Sequence, residues 1–381
     1  MKGHIRKRGS KWAFVVDIGK DPVTGKRKQK WFSGYRTKRE AEKAMAEKIA
    51  EISRGDYVEP ARTPLRDLMI EWLELNIKHR TSIKTHDLYR YLIHNFIIPH
   101  LGEIPLDKLS PIQIQKFYNK LLDMNKKHGG GKISPTTVRK VHTVLRAALE
   151  WGVKMKMLPS NVAKRVDPPK EKRMTVNVWT QEDASAFLEV SKGHRLYPLF
   201  YVALSTGMRI GELLGLKWED IDWEREVIRV RRTLGRTSAG YILKEQPKTS
   251  SSRRSIYITT NTINVLKKHR RKQLQELLRL GITSPEFVFL NSRGKFFDVT
   301  PIHVEFRKLI KQAGVPNIRF HDLRHTHATF LLQEGIHPKI VSERLGHKNV
   351  SITLDIYSHV IPSMQKEAAK AFQSFENTLS E

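Results

Sequence analysis

The chain of 381 residues contains no cysteine. That absence excludes disulfides, thiolate metal sites and thiol nucleophiles, and it points to a reducing compartment, the cytoplasm. No run of about 18 apolar residues occurs, so no membrane-spanning helix is expected. The opening MKGHIRKRGSKW is basic, but no apolar stretch follows it, so it does not read as a secretory signal. Long repeats and biased tracts are missing as well. Acidic residues are scarce: 39 Asp and Glu stand against 69 Lys and Arg, a net charge of +30 and a pI near 10.2. Solvated surfaces usually mix both signs and stay nearer neutrality. An excess this large implies a polyanionic partner, nucleic acid first. No basic amphipathic anchor argues for a membrane surface.

Single cores rarely grow past about 250–300 residues, so this length implies two or three domains. Residues 1–58 read as a small β-β-β-α unit. In KWAFVVDIGK, Trp12, Phe14, Val16 and Ile18 alternate onto one face, as in a half-buried strand. DPVTG (Asp21 to Gly25) is a turn signal, KRKQKWFSG the return strand, and Thr37 to Glu40 a capping box ahead of Ala41, Ala44, Met45, Ile49 and Ile52 at helical spacing. Residues 1–40 hold 13 Lys/Arg and 3 Asp/Glu. A thin-cored sheet so crowded with cations suits a nucleic-acid backbone or groove, and Lys2, Arg6, Lys7, Arg8, Lys26, Arg27, Lys28 and Lys30 are the candidate contacts.

RGDYVEPARTP (54–64) reads as a linker and residues 64–166 as all helical. Thr63-Pro64, Ser110-Pro111 and Ser134-Pro135 each place a cap residue before a first-turn proline. Leu65, Leu68, Met69, Trp72 and Leu73 form one apolar stripe, and Val138, Val141, Leu145 and Leu149 another. KKHGGGKIS (126–134) has half of a phosphate loop, but Ile133 stands where a hydroxyl must hold magnesium, so it reads as a flexible loop. VDPPKEKR (166–173) is a second linker. Residues 174–381 are mixed: Thr180 opens a helix, YPLFYVALSTG continues as one, and REVIRVRR (225–232), GYILKE (240–245) and RRSIYIT (253–259) are strand-like. The expected fold is multidomain and mainly α with small β-sheets: a three-stranded sheet plus helix over 1–58, a helical bundle over 64–166, and an α-rich domain with a small antiparallel sheet over 174–381.

HDLRHTHATF (321–330) raises a sharper question. His321 and His325 have the spacing of a helical zinc site, with Asp322 at the acidic position. On a helix, however, Arg324 shares their face and adds a permanent cation. That favours an anion over a metal, and a guanidinium fork suits phosphate oxygens. A histidine beside an arginine on that face suits an anion and can move a proton, and the resemblance given below singles out His321 for that role. His325 and His327 read as supports through packing and hydrogen bonds, His327 turning toward Leu323, Phe330 and Leu331. STGMRIGELLGLKWEDID (205–222) pairs Arg209 with Glu212, either as a surface ion pair or, with Gly207 making a tight entry, aimed inward. LKEQPKTSSSRR (243–254) is a polar turn between strands, and RLGHKNVSITLDIYSHV (344–360) presents His347 after a glycine, then Tyr357.

Together these stretches resemble the tyrosine recombinase (phage integrase) family, in the order R…K…H-x-x-R…H…Y. The resemblance covers 174–381, extends more loosely to 64–166 as a core-site DNA-binding domain, and to 1–58 as the arm-site DNA-binding domain of the integrase subgroup found in temperate phages and conjugative transposons. It implies that Tyr357 attacks a phosphodiester to leave a 3′-phosphotyrosine link and a free 5′-hydroxyl. Arg209 and Arg324 would bind the non-bridging oxygens. Lys248 would be the general acid for the 5′-oxygen, His321 the proton-accepting histidine, His347 a second phosphate contact, and Glu212 the support of Arg209. Such chemistry needs no metal and no cofactor. The implied partners are double-stranded DNA at core-type and arm-type attachment sites, further copies in a tetramer joined through the tail QKEAAKAFQSFE (365–376), a DNA-bending protein and an excisionase. The implied location is the bacterial nucleoid. A chromosome-dimer resolvase, a type IB topoisomerase and a non-catalytic DNA-binding regulator are the alternatives. The module over 1–58 argues against the resolvase.

Overall fold

The computed structural model describes residues 3–20, 25–54, 63–126, 130–171, 177–245 and 254–357, together with Ala369, Phe372 and Gln373. The chain divides into two compact units, Met1–Lys172 and Arg173–Glu381.

The first unit opens with β1 (His4–Arg8), β2 (Lys11–Lys20) and β3 (Arg27–Tyr35), an antiparallel sheet in that order, followed by α1 (Lys38–Ser53). Ile5 pairs with Phe14 and Phe14 with Phe32, so these side chains share a face. They join a small core in which Phe14, Val16 and Ala41 are buried, with Trp12, Ile18, Met45 and Ile49 around them. Thr37 and Glu40 form the expected capping box. Most of the turn at Asp21–Gly25 and of the linker 54–64 lies outside the described residues.

A second core is helical: α2 (Leu65–Glu71), a π-helical turn (Trp72–Ile77), α3 (Ile83–Leu92), another π turn (Ile93–Ile97), α4 (Ile98–Leu101), α5 (Pro111–Asp123) and α6 (Pro135–Lys154). Both expected apolar stripes are buried in it. Serine followed by a first-turn proline starts α5 and α6. At Thr63-Pro64 that expectation fails. Pro64 itself is the cap residue, bridged to Pro105, and the Leu65 N–H donates to Ile104 O at 3.0 Å. A tertiary bridge here takes the place of a side-chain cap. In the glycine-rich break, Ile133 is buried and its N–H donates to Met124 O at 3.0 Å, which gives that isoleucine a packing role.

The second unit runs through α7 (Gln181–Ser191), α8 (Tyr197–Thr206), α9 (Ile210–Leu214), β4 (Ile221–Asp222), β5 (Val227–Val230), β6 (Arg232–Thr237), β7 (Gly240–Glu245), β8 (Arg254–Tyr257), α10 (Thr260–Leu278), α11 (Val299–Ala313), α12 (Asp322–Gln333), α13 (Pro338–Leu345) and α14 (Val350–Tyr357). Its main core centres on Trp179, Phe187, Phe200, Phe306 and Phe320. The strand region differs from expectation. Two small sheets form, β4-β5-β8 and β6-β7, and the run 225–232 belongs to both. The break has a physical cause: buried Arg232 bonds Asp220 at 2.7 Å and Glu219 at 2.8 Å, which redirects the chain after Val230. A smaller core of Ala328, Leu332, Val341 and Leu345 holds Tyr357 against α12 and α13. The tail 365–376 lies outside the described residues except at Ala369, Phe372 and Gln373.

Candidate active site

Arg209 caps α9 in an extended conformation, and Glu212 follows one turn later. Glu212 is 2% exposed, so the pair is buried on its acidic side. Its oxygens accept from the Arg209 backbone (2.9 Å) and Nη1 (2.9 Å), and from Nη1 (3.1 Å) and Nη2 (2.8 Å) of Arg254 on β8. Burial alone pushes this carboxyl up. The hydrogen bonds and charge of Arg254, with the charge of Arg209, outweigh burial and hold it at about 2. The Arg209 side chain stays 42% exposed, and its Nη2 donates to Gly346 O at 3.2 Å.

Two further arginines brace this clamp. Arg254 Nε donates to Arg344 O at 2.7 Å. Arg344 donates to His327 Nε2 at 3.0 Å, Tyr257 O at 2.9 Å and Ser205 O at 3.2 Å, tying together β8, α12, α13 and the end of α8. Glycine is required at both turns beside it. Gly207 has φ +66°, and a Cβ there would come within 2.8 Å of His327 Cδ2. Gly346 has φ +69°, and its Cβ would meet Arg254 Nη1 at 2.9 Å.

Arg324 rises from the first turn of α12 and is 3% exposed. Its Nη1 donates to Gly207 O at 2.8 Å, while Nη2 is buried with no hydrogen-bond partner among the described residues. Burial, then the charge of Arg209, lowers its pKa to about 9, so it remains a cation at neutral pH. Beside it, His325 Nδ1 lies 2.7 Å from Tyr357 Oη. Tyr357 is 1% exposed; burial raises its pKa, with Arg324 opposing. His347 Nδ1 meets Thr353 Oγ1 at 2.8 Å. Burial holds His347 at about 4, aided by Arg324 and Arg209, and His325 at about 4, aided by His321. His321 is also lowered, by burial and then Arg324 and Arg209. The three imidazoles are therefore neutral above pH 7, beside two guanidiniums. Asp322 is neutralised by Arg319, which donates to its two oxygens at 2.7 and 3.0 Å. Two guanidiniums and three neutral imidazoles near a buried phenol form an arrangement that could receive an anion. His321 and His325 meet edge to face, 5.2 Å between ring centres, and no group of three or more His, Asp or Glu among the described residues is placed to hold a metal ion.

Residues 177–364 match the phage integrase family, residues 4–52 an arm DNA-binding domain, and residues 65–122 the N-terminal SAM-like domain of phage integrases. A protein of Caldanaerobacter subterraneus described as tyrosine recombinase XerC-like is 36% identical over 393 residues, with 97% of each chain covered. The chain belongs to the phage integrase family. It is a site-specific DNA recombinase of the tyrosine type. The ICEBs1 integrase of Bacillus subtilis is 27% identical, over 74% of this chain and 75% of that one. The Tn1549 transposon integrase, solved in complex with a circular intermediate DNA, has the same fold: TM-score 0.67 at 21% identity, over 81% of this chain and 99% of that one.

Within this integrase-family unit, Arg209, His321, Arg324, His347 and Tyr357 converge, and Glu212 lies beneath Arg209. Lys248 lies outside the described residues. The segment carrying it does not join paired strands, because β7 pairs with β6 and β8 with β5. Sequence reasoning missed Arg254 and Arg344. A signal existed for Arg254: it alternates with buried Ile256, so it faces inward. His325 bonds the tyrosine hydroxyl directly, and the supporting role of His327 is to accept from Arg344.

The cations of the arm-like module divide between two sheet faces. Lys2 lies outside the described residues. Arg6 and Arg8 alternate with Ile5, a core residue, so they point away from the core. Lys7 shares the side of Ile5, and Lys30 pairs with buried Val16. Arg27 is ion-paired with Asp17, with Lys26 and Lys28 on either side of it. Trp31 belongs with the outer set: it is 41% exposed, and the Arg8 guanidinium lies 4.3 Å from its ring centre.

Proposed function

We propose that this recombinase integrates and excises a mobile element or prophage through a 3′-phosphotyrosine intermediate. Tyr357 is the nucleophile. Arg209 and Arg324 bind the non-bridging oxygens of the scissile phosphate, with His347 as a further contact. Lys248 protonates the leaving 5′-oxygen, His321 stands at the position of the family's proton-accepting histidine, and Glu212 aims Arg209. The observation that carries this reading is a cluster of two guanidiniums and neutral imidazoles in which His325 bonds the buried tyrosyl hydroxyl and Arg324 lies near it. Charge placed around the equatorial oxygens is what phosphoryl transfer requires, and a tyrosyl ester keeps the bond energy for religation.

In this reading residues 1–58 bind arm-type sites, 64–166 grip core DNA, and 174–381 cut and rejoin it. The enzyme assembles as a tetramer on DNA in the bacterial nucleoid, assisted by a DNA-bending protein and an excisionase. The test is covalent capture. A pool of nicked duplexes with randomised cores, incubated with the full chain, should yield a denaturant-stable adduct of enriched sequence, mapped by mass spectrometry to Tyr357. No adduct from the whole pool would overturn the reading. Relaxation of supercoiled plasmid without site preference would favour a topoisomerase.

Removing residues 1–58 should leave cleavage of the captured core duplex within about threefold of the full chain, since the sheet module and the helical module have separate cores. High-affinity binding to arm DNA should disappear. The slope of log affinity against log salt should flatten by about 0.9 for each DNA phosphate that the shortened chain no longer neutralises. Mobility-shift titrations at several salt concentrations check this, and unchanged arm binding would refute the assignment of the module.

A further inference from the structure

We infer that His325, rather than His321, is the base that takes the proton from Tyr357 during cleavage and returns it during religation, which makes it a catalytic residue. The inference rests on Tyr357 being the nucleophile. Its starting point is the contact itself: His325 Nδ1 and Tyr357 Oη are 2.7 Å apart, the range of a short O–H···N bond. Both groups are buried, so bulk water does not compete for that proton.

The other groups facing this pair are already committed or chemically unsuited. Arg324 is a cation and has no lone pair to offer. Asp322, from the start of α12, gives both oxygens to Arg319. His347, from the turn before α14, directs Nδ1 at Thr353 and makes no hydrogen bond to Tyr357 among the described residues, and the proposed function uses it as a phosphate contact. His321 lies one ring further out, stacked edge-on against His325 at 5.2 Å. It is exposed and has no hydrogen bond to Tyr357 among the described residues. Burial keeps His325 in the neutral form that can accept, while the Asp322 carboxylate favours the protonated form once it appears. A bound phosphodiester adds negative charge beside the same ring and works in the same direction.

The step balances. As Tyr357 Oη forms its bond to phosphorus, its proton moves to His325 Nδ1. The phosphorus–O5′ bond breaks, and O5′ takes a proton from Lys248. In religation a 5′-hydroxyl gives its proton back to the neutral Lys248 amine and attacks phosphorus, the phosphorus–Oη bond breaks, and His325 reprotonates the tyrosine. A position adjacent to Arg324 on α12 thus serves the nucleophile directly, while Arg324 itself serves the phosphate.

The test compares single-turnover cleavage of the captured nicked duplex with that of the same duplex carrying sulfur at the 5′-bridging position, whose leaving group needs no proton. His325→Asn keeps a hydrogen-bonding atom near Nδ1 but cannot accept a proton at neutral pH. It should bind DNA as the wild type does, yet cleave about 100-fold more slowly on both duplexes, within the range for general-base loss. Its rate should rise steadily from about pH 6 to 9, where the wild type levels off, as hydroxide replaces the missing base. Lys248→Ala should be slow only on the oxygen duplex. A His325→Asn rate within about threefold of wild type, or a defect cured by sulfur, would overturn the inference. Absence of any wild-type adduct would instead overturn the reading of Tyr357. His325→Gln serves as the second variant should His325→Asn fold poorly.

Discussion

Tyr357→Phe is expected to abolish covalent capture of DNA while leaving DNA binding intact. The substitution removes one oxygen, the only atom of this side chain able to bond phosphorus. The guanidiniums of Arg209 and Arg324 remain, and each is anchored independently of Tyr357: Arg209 on Glu212 and Gly346, Arg324 on Gly207. The phosphate receptor should therefore survive, and the salt dependence of binding should not change, since every cation is still in place. Stability should fall only modestly. The Tyr357 ring still fills the pocket beside Ala328, Val341 and Leu345, but His325 Nδ1 is left without its partner, a cost of about 1–3 kcal/mol for a buried unsatisfied group. A denaturing gel of the nicked-duplex reaction reads the adduct, and a native gel reads binding. Residual adduct from the phenylalanine variant would place the nucleophile elsewhere. Loss of binding as well would mean that the tyrosine organises the receptor.

The parts of this protein that were legible from sequence are those coded over a few residues. Alternation of Trp12, Phe14, Val16 and Ile18 predicts the buried face of β2, and Thr37 with Glu40 predicts where α1 starts. Arg209 and Glu212 are readable as a pair because one helical turn separates them. What was not legible depends on contacts between distant positions. Arg254 reaches Glu212 across 42 residues, and no period announces such a pairing. Pro64 caps α2 because Pro105 supplies a bridge. The run 225–232 is uniformly strand-like, and only the buried bonds of Arg232 to Asp220 and Glu219 divide it between two sheets. His325 was placed on the right face of α12, but its bond to Tyr357 follows from the seating of α14, which local pattern does not encode. The chemical roles proposed for these residues rest on the order of the motifs, because each residue alone has an ordinary structural explanation.

Glu212→Gln is expected to destabilise the unit 173–381 by about 3–5 kcal/mol at neutral pH, the range for removing one member of a buried ion pair. Arg254 is 7% exposed and Glu212 2%, so neither charge is relieved by solvent. The amide keeps one acceptor oxygen but puts an N–H₂ in place of the other and carries no charge, leaving Arg254 as a buried cation without a counter-charge. Cleavage should also slow, because Arg209 loses the carboxylate charge that aims it. The pH dependence gives an independent check. Glu212 is held at about 2 against an ordinary 4.5, so the folded state binds its proton less readily than the unfolded state does. Its contribution to stability is therefore complete above about pH 4.5 and disappears as pH falls toward 2. Unfolding midpoints of wild type and Glu212→Gln should lie far apart at pH 7 and draw together between about pH 4.5 and 2. Chemical denaturation of the full chain, followed by tryptophan fluorescence from Trp179 and Trp218 in this unit's core, measures both. Parallel curves across that range would show that the two arginines do not draw their stability from this carboxylate. Convergence with normal cleavage at pH 7 would separate its structural role from the aiming of Arg209.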